Sequence, residues 1–239
     1  MRGQGEREVA GVVADRLRRV RPRLVLVAAL GPVLGAVLTV LWGGQPGWLA
    51  VPLALAGAGV AYFRSRRFRP RRWPVAGAVL GALSGAYLTL VSPWLAPMAF
   101  VLGGLGWLAA GRARAQVLRP YTPELADSLV EVPWQARGAR GLELLVSHDR
   151  ITLSGGRGPF RLVRPMVALS GVGAVEQVMV ARRATLPLPG VGELRVTVTP
   201  GPAVRIMVPP GEWILPTDHG REIARLVARR KELAGIAAR

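Results

Sequence analysis

A chain of 239 residues with 32 Lys and Arg against 14 Asp and Glu carries a net charge of +18, yet sets its charges in blocks that a single soluble globule would not tolerate. Cysteine is absent and only two histidines occur, His148 and His219. A disulfide framework, a thiolate metal site and a cysteine nucleophile are therefore excluded, and a histidine-rich metal cluster is disfavoured.

Residues 1–23 read as a basic amphipathic segment on the cytoplasmic side, with Arg16, Arg18, Arg19, Arg21 and Arg23 gathered before the first apolar run. From Leu24 to Phe63 and from Trp73 to Gly111 there is no Asp, Glu, Lys, Arg or His, over 40 and 39 residues. A helix rises about 1.5 Å per residue and a bilayer core is about 30 Å thick, so about 20 residues cross once and each run makes a helical hairpin. Gly43-Gly44-Gln45-Pro46-Gly47 divides the first run into spans at 24–42 and 48–63. Ser92-Pro93 divides the second into 74–92 and 94–110. No small-residue cleavage site follows Leu41 and three more spans come after it, so the first span reads as retained, not as a cleaved signal.

Orientation follows from arginine, because translocated loops dense in arginine are disfavoured. The loop between hairpins holds Arg64, Arg66, Arg67, Arg69, Arg71 and Arg72, and Arg112, Arg114 and Arg119 follow the last span; the turns at 43–47 and 92–93 hold no charge. A multi-pass protein of the cell inner membrane or plasma membrane is expected, with both termini cytoplasmic. Trp42, Trp48 and Trp94 would mark the outer headgroup level, and Tyr62, Trp73 and Trp107 the inner one. The six arginines at 64–72 are the expected contact with anionic lipid. They account for +6 of the charge, the first 23 residues for +4, and residues 112–239 for +8, so nucleic acid is disfavoured as the reason for the basic balance.

Helices in lipid associate through close backbone approach at small residues. Gly77, Gly81 and Gly85 recur at four-residue steps in the third span, and Gly31 and Gly35 in the first, so these are the expected packing positions, within one chain or between copies in a homo-oligomer. An ion-coupled transporter would need ionisable groups at membrane depth, and the spans hold none.

Residues 112–136 read as a linker with a short helix near 123–131, and 137–239 as a cytoplasmic domain. Within it the apolar pattern changes to period two, the mark of strands with one buried face. Leu142, Leu144 and Val146 alternate with Glu143, Leu145 and Ser147, and a turn at His148-Asp149-Arg150 leads into 151–153, which predicts a hairpin. Further strands are expected at 160–164, 166–169 and 174–180, then over 194–199 and 204–208, with a short last one at 212–215. Thr217 or Asp218 would cap a final helix with Ile223, Leu226, Val227 and Leu233 on its apolar face.

About seven short strands and one C-terminal helix, with Gly201-Pro202-Ala203-Val204-Arg205-Ile206 leading to Thr217-Asp218, resembles the bacterial pleckstrin-homology-like (PH-like) domain. Several actinobacterial membrane proteins are similar in joining such a domain to transmembrane helices. The resemblance covers residues 137–235 and implies a small bent β-barrel closed by a helix. The whole is then an α+β membrane protein, a four-helix transmembrane bundle of two hairpins followed by this domain. Eukaryotic relatives bind phosphoinositides through bases in the first hairpin loop, but here Ser147 to Arg150 contains Asp149 and one arginine, so that role is not carried over. Arg157, Arg161 and Arg164 form the nearest cluster for contact with an anion or partner.

No catalytic set emerges. Ser170 lacks the glycine that precedes a nucleophile elbow, Asp218-His219 reads as a helix start, and Gly155-Gly156-Arg157-Gly158 lacks the lysine and hydroxyl of a phosphate-cradling loop. The expectation is a non-enzymatic protein without a cofactor, whose C-terminal domain recruits an unidentified protein partner at a lipid surface. The alternative is a small-solute conduit through the bundle.

Overall fold

The computed structural model describes residues 2–42, 45–139, 141–155, 164–187, 195–209 and 211–236. The chain divides into two units, Met1–Tyr121 and Thr122–Arg239. The first is all helix: α1 (Arg2–Leu41), α2 (Ala50–Ser65), α3 (Trp73–Val91) and α4 (Met98–Leu118). All four are long and apolar enough to cross a membrane, which fits a multi-pass membrane protein. Short 3-10 turns that open on proline, Pro46–Leu49, Pro70–Arg72 and Pro93–Leu95, lead toward the next helix, since proline fixes φ and lacks the N–H that a first turn would leave unpaired.

The basic segment at 1–23 is not separate from the first span. It continues as the same 40-residue helix, through Pro22 and Pro32. At about 1.5 Å per residue that helix is about twice as long as a bilayer core is thick. Large apolar side chains cover the outside of the bundle, among them Trp94 at 91% and Phe100 at 86% exposure, a surface suited to lipid and not to water. Trp73 differs from the expected interface anchor: it is 1% exposed, and its indole N–H donates to the Arg66 carbonyl at 3.1 Å.

The second unit is α+β and its strands are antiparallel. A four-stranded sheet runs β1 (Val132–Gln135), β2 (Leu142–Val146), β3 (Arg150–Gly155) and β4 (Met166–Ala168) in that order. A three-stranded sheet runs β5 (Val175–Val180), β8 (Gly201–Val208), β9 (Gly211–Pro216), and β6 (Ala184–Pro187) pairs with β7 (Arg195–Val198). The last helix is α5 (Gly220–Leu233). The β2–β3 hairpin forms at the expected turn, with Leu144 opposite Leu153 and Ser147 N–H donating to Arg150 O at 2.8 Å. β2 is not half-buried, however: Glu143 and Leu145 are buried along with Leu142, Leu144 and Val146.

Among the described residues the strands do not form a closed barrel. A 3-10 turn at Leu169–Gly171 separates β4 from β5, which do not pair, so the first two sheets stay distinct. The strands at 195–198 and 201–208, adjacent in sequence, do not pair with each other either. Gly201 sits at φ +116°, a backbone angle that side chains disfavour, and there the chain leaves the β6–β7 sheet and enters the other. The segment read as a linker at 112–136 is divided: 112–118 continue α4, while 122–136 belong to the second unit and include β1. Leu233, expected on the apolar face of the last helix, is 50% exposed, whereas Ile223, Leu226 and Val227 are buried. The expected strand at 160–164 lies outside the described residues except for Arg164.

Candidate functional site

The helical unit is held by glycine. A side chain at Gly77, Gly81 or Gly85 would strike the α4 backbone, at Gly106, Leu102 and Ala99 respectively. Gly31 and Gly35 bring α1 against side chains of α3 less closely, where a Cβ would lie 2.6 Å from Ser84 Cβ and 3.1 Å from the Tyr87 ring. Gly59 of α2 faces Ala28, whose Cβ would be 2.9 Å away. All five glycines singled out in the sequence therefore contact helices of their own chain.

One polar cluster lies among these helices. Thr39 Oγ1 donates to Gly35 O at 2.8 Å and lies 2.7 Å from Tyr87 Oη, which donates to Trp48 O at 3.1 Å. The hydroxyls tie α1, α3 and the turn before α2, with Thr39 1% and Tyr87 5% exposed.

The arginines of 64–72 occupy the end of α2, the turn after it and the 3-10 turn Pro70–Arg72. Arg64, Arg67, Arg69 and Arg72 are exposed, Arg66 and Arg71 half-buried, and the Arg67 guanidinium stands 4.5 Å from the centre of the Phe68 ring. Two arginines of the first cluster have structural duties. Arg16 donates to Val117 O and Pro120 O, and Arg23 to the Gln116 side chain, so both serve the end of α4, where unsatisfied carbonyls favour a cation.

In the second unit Arg157 and Arg161 lie outside the described residues, and Arg164 is exposed just before β4. The structure instead brings forward three arginines that the sequence pattern does not mark. Arg230 of α5 is 2% exposed and donates to the carbonyls of Leu125, Ala126, Ser128, Val130 and Val146, the closest being Val146 at 2.5 Å and Val130 at 2.6 Å. It fixes 125–130 to the last helix, and Arg229 reinforces the bond by donating to Asp127 at 2.6 Å. Arg137 donates to Pro200 O, Pro202 O and Asp218, holding the bend at Gly201 beside the start of α5. Glycine suits that bend because its φ of +116° is one that side chains disfavour; a Cβ there would also meet the tip of the Arg137 side chain at 2.6 Å.

The groups weighed for catalysis are engaged otherwise. Asp218 accepts from Arg137 at 2.6 Å, and the His219 ring lies 5.1 Å from the Trp134 ring. Thr217 Oγ1 accepts the His219 N–H at 3.3 Å, and neither Thr217 nor Asp218 caps α5. Asp149 accepts from Arg150 Nε at 2.9 Å and Nη2 at 2.6 Å, and that guanidinium holds its carboxyl below the ordinary value, against a smaller upward push from burial. On the sheet, Arg205 donates to Glu176 at 2.7 Å, which raises the arginine's already high pKa. Among the described residues no group of three or more His, Cys, Asp or Glu could hold a metal ion. No family model, curated protein or solved structure matches the chain.

Proposed function

We propose that this protein anchors a recruitment domain: its four helices sit in the membrane and its C-terminal α+β unit is offered on the cytoplasmic side to another protein. The observation that carries this reading is the division of the chain into four apolar helices and one separately packed α+β unit. The arrangement of sheets followed by a terminal helix supports kinship with PH-like modules without a closed barrel. The arginine blocks support the inside placement of both termini, and Arg64, Arg67, Arg69 and Arg72 are exposed for anionic headgroups, each worth about 1 kcal/mol near such a surface.

Topology is tested by single cysteines, since the chain has none of its own. An impermeant thiol reagent on intact cells should label Gln45→Cys and spare Ser65→Cys; the reverse pattern overturns the orientation. Recruitment is tested by crosslinking in native membranes with and without residues 122–239. Partners should disappear with the unit; capture of the same partners by both forms refutes it. Movement of a solute by the full chain in liposomes would establish the conduit reading instead.

A further inference from the structure

The edge strands of the second unit are short or interrupted, with one exception. β1 contains Pro133, β4 has three residues and β7 four, and β6 and β9 end on Pro187 and Pro216. Brevity and proline are the usual means by which strand edges are kept from pairing with other chains. β5 uses neither. Its six residues contain no Pro, pair with β8 on one side, and have no strand on the other side among the described residues. The register says which of its groups are open. Thr217 N–H donates to Pro202 O at 3.1 Å, so the backbone groups of even-numbered residues in β8 face β9, and those of Gly201, Ala203 and Arg205 face Val180, Val178 and Glu176 of β5. The N–H and C=O groups of Val175, Gln177 and Met179 therefore point away from β8, and among the described residues nothing bonds to them. Met179 is 77% exposed. An edge of this kind can take an incoming strand through its main chain.

Charge says what kind of strand fits. The single acid of β5, Glu176, is already taken by Arg205 of β8 at 2.7 Å. The cations beside the edge have no such partner: Arg221 of α5 donates to the neutral Gln177 side chain at 3.1 Å, and Lys231 to Val172 O at 2.6 Å. Exposed Arg182 and Arg183, in the bend after β5, form no hydrogen bond or ion pair among the described residues. Of the acids at the start of α5, Asp218 is bound by Arg137, and Glu222 lies 3.9 Å from the His219 ring. We propose that the partner of the recruitment domain presents an acidic, extended segment, and that this segment adds to β5 as a further strand. The main chain supplies the bonds, and Arg182, Arg183 and Arg221 supply the preference for acid. The inference rests on the recruitment reading and gives it a site and a class of partner.

The full-length protein in detergent and a fluorescent peptide of alternating Glu and Val provide the test. The peptide should bind, and two controls should bind several-fold more weakly: one with Lys for Glu, and one N-methylated at alternate residues, which keeps the charge and loses the strand bonds. Met179→Pro removes an N–H that β8 does not use and should weaken binding several-fold with the thermal melt unchanged. Arg182→Glu with Arg183→Glu should do the same. No binding of the Glu peptide, equal binding of either control, or indifference to both variants each overturn the proposal. So does a dimer of the full chain that Met179→Pro dissolves, which gives the edge to a second copy. Crosslinking in native membranes separates this failure from that of the recruitment reading. Partners lost on deletion of 122–239 and also in Met179→Pro support the site. Partners lost on deletion alone overturn the site and leave recruitment standing; partners kept in both overturn recruitment and the site with it.

Discussion

Arg230 concentrates more of the second unit's order than any other side chain described. A guanidinium presents five donors in a planar fork, whereas an ammonium is a point with three, so lysine cannot serve five carbonyls spread over 125–146. Arg230→Met should cost at least about 3 kcal/mol, since each buried carbonyl left without its donor costs about 1–3 kcal/mol, and Arg230→Lys should recover only part. Denaturant unfolding of the C-terminal unit measures both. A domain of ordinary stability, about 5–15 kcal/mol, would lose much of it. The acid Asp149 predicts a weaker, pH-dependent effect. Its carboxyl is held below the ordinary value by Arg150, so its contribution is complete above about pH 4 and is lost as pH falls through the lowered value. Both partners are 41% exposed, which limits a pair of this kind to about 0.2–1 kcal/mol. Asp149→Asn should remove that part of the acid dependence while leaving stability unchanged once the pH lies well below the lowered value, read from melts across the range. Arg230 was not legible in the sequence, where an arginine on a helix reads as solvated and its partners lie 84 to 105 residues away.

Among the elements, the helices were the most legible. Charge-free runs and proline-opened turns located them, though α1 reaches back to Arg2 and α4 on to Leu118, beyond those runs, and four-residue glycine steps marked the faces where α1, α3 and α4 meet. The partner of each glycine was not legible, because spacing gives a face and not what lies against it. Gly81→Leu places a branched side chain on the Leu102 carbonyl, which is backbone and cannot swing aside. Overpacking commonly costs about 1–3 kcal/mol and should cost at least that here, while Leu83→Phe, at a position 48% exposed, should be near neutral. Thermal unfolding in detergent compares the two. The strands were legible where apolar alternation or a turn marked them, as in β2, β3 and β8. Their assembly was not: β1 contains a proline and sat in a stretch read as linker, and the sheet to which β8 belongs is decided by one glycine angle at Gly201.

At the scale of the whole molecule, the boundary between the units falls at Tyr121, earlier than the change in sequence pattern suggested. A fragment starting at residue 137 would lack β1 and four of the five carbonyls bound by Arg230, those between Leu125 and Val130. Residues 122–239 should therefore melt cooperatively with a mixed α and β circular dichroism spectrum, and residues 137–239 should not. Cooperative melting of the shorter fragment at the same temperature would show that 122–136 add nothing to the fold.

The same arginine also sets a timetable. Arg230 is made 100 residues after Val130, and at a synthesis rate of about 5–20 residues per second the interval is about 5–20 s. Through that interval the carbonyls of 125–130 lack the arginine, with Leu125 O served only locally by Ser128, while α1 to α4 have already been made. The α+β unit thus closes after the four helices have been made, and it closes by joining its first residues to α5.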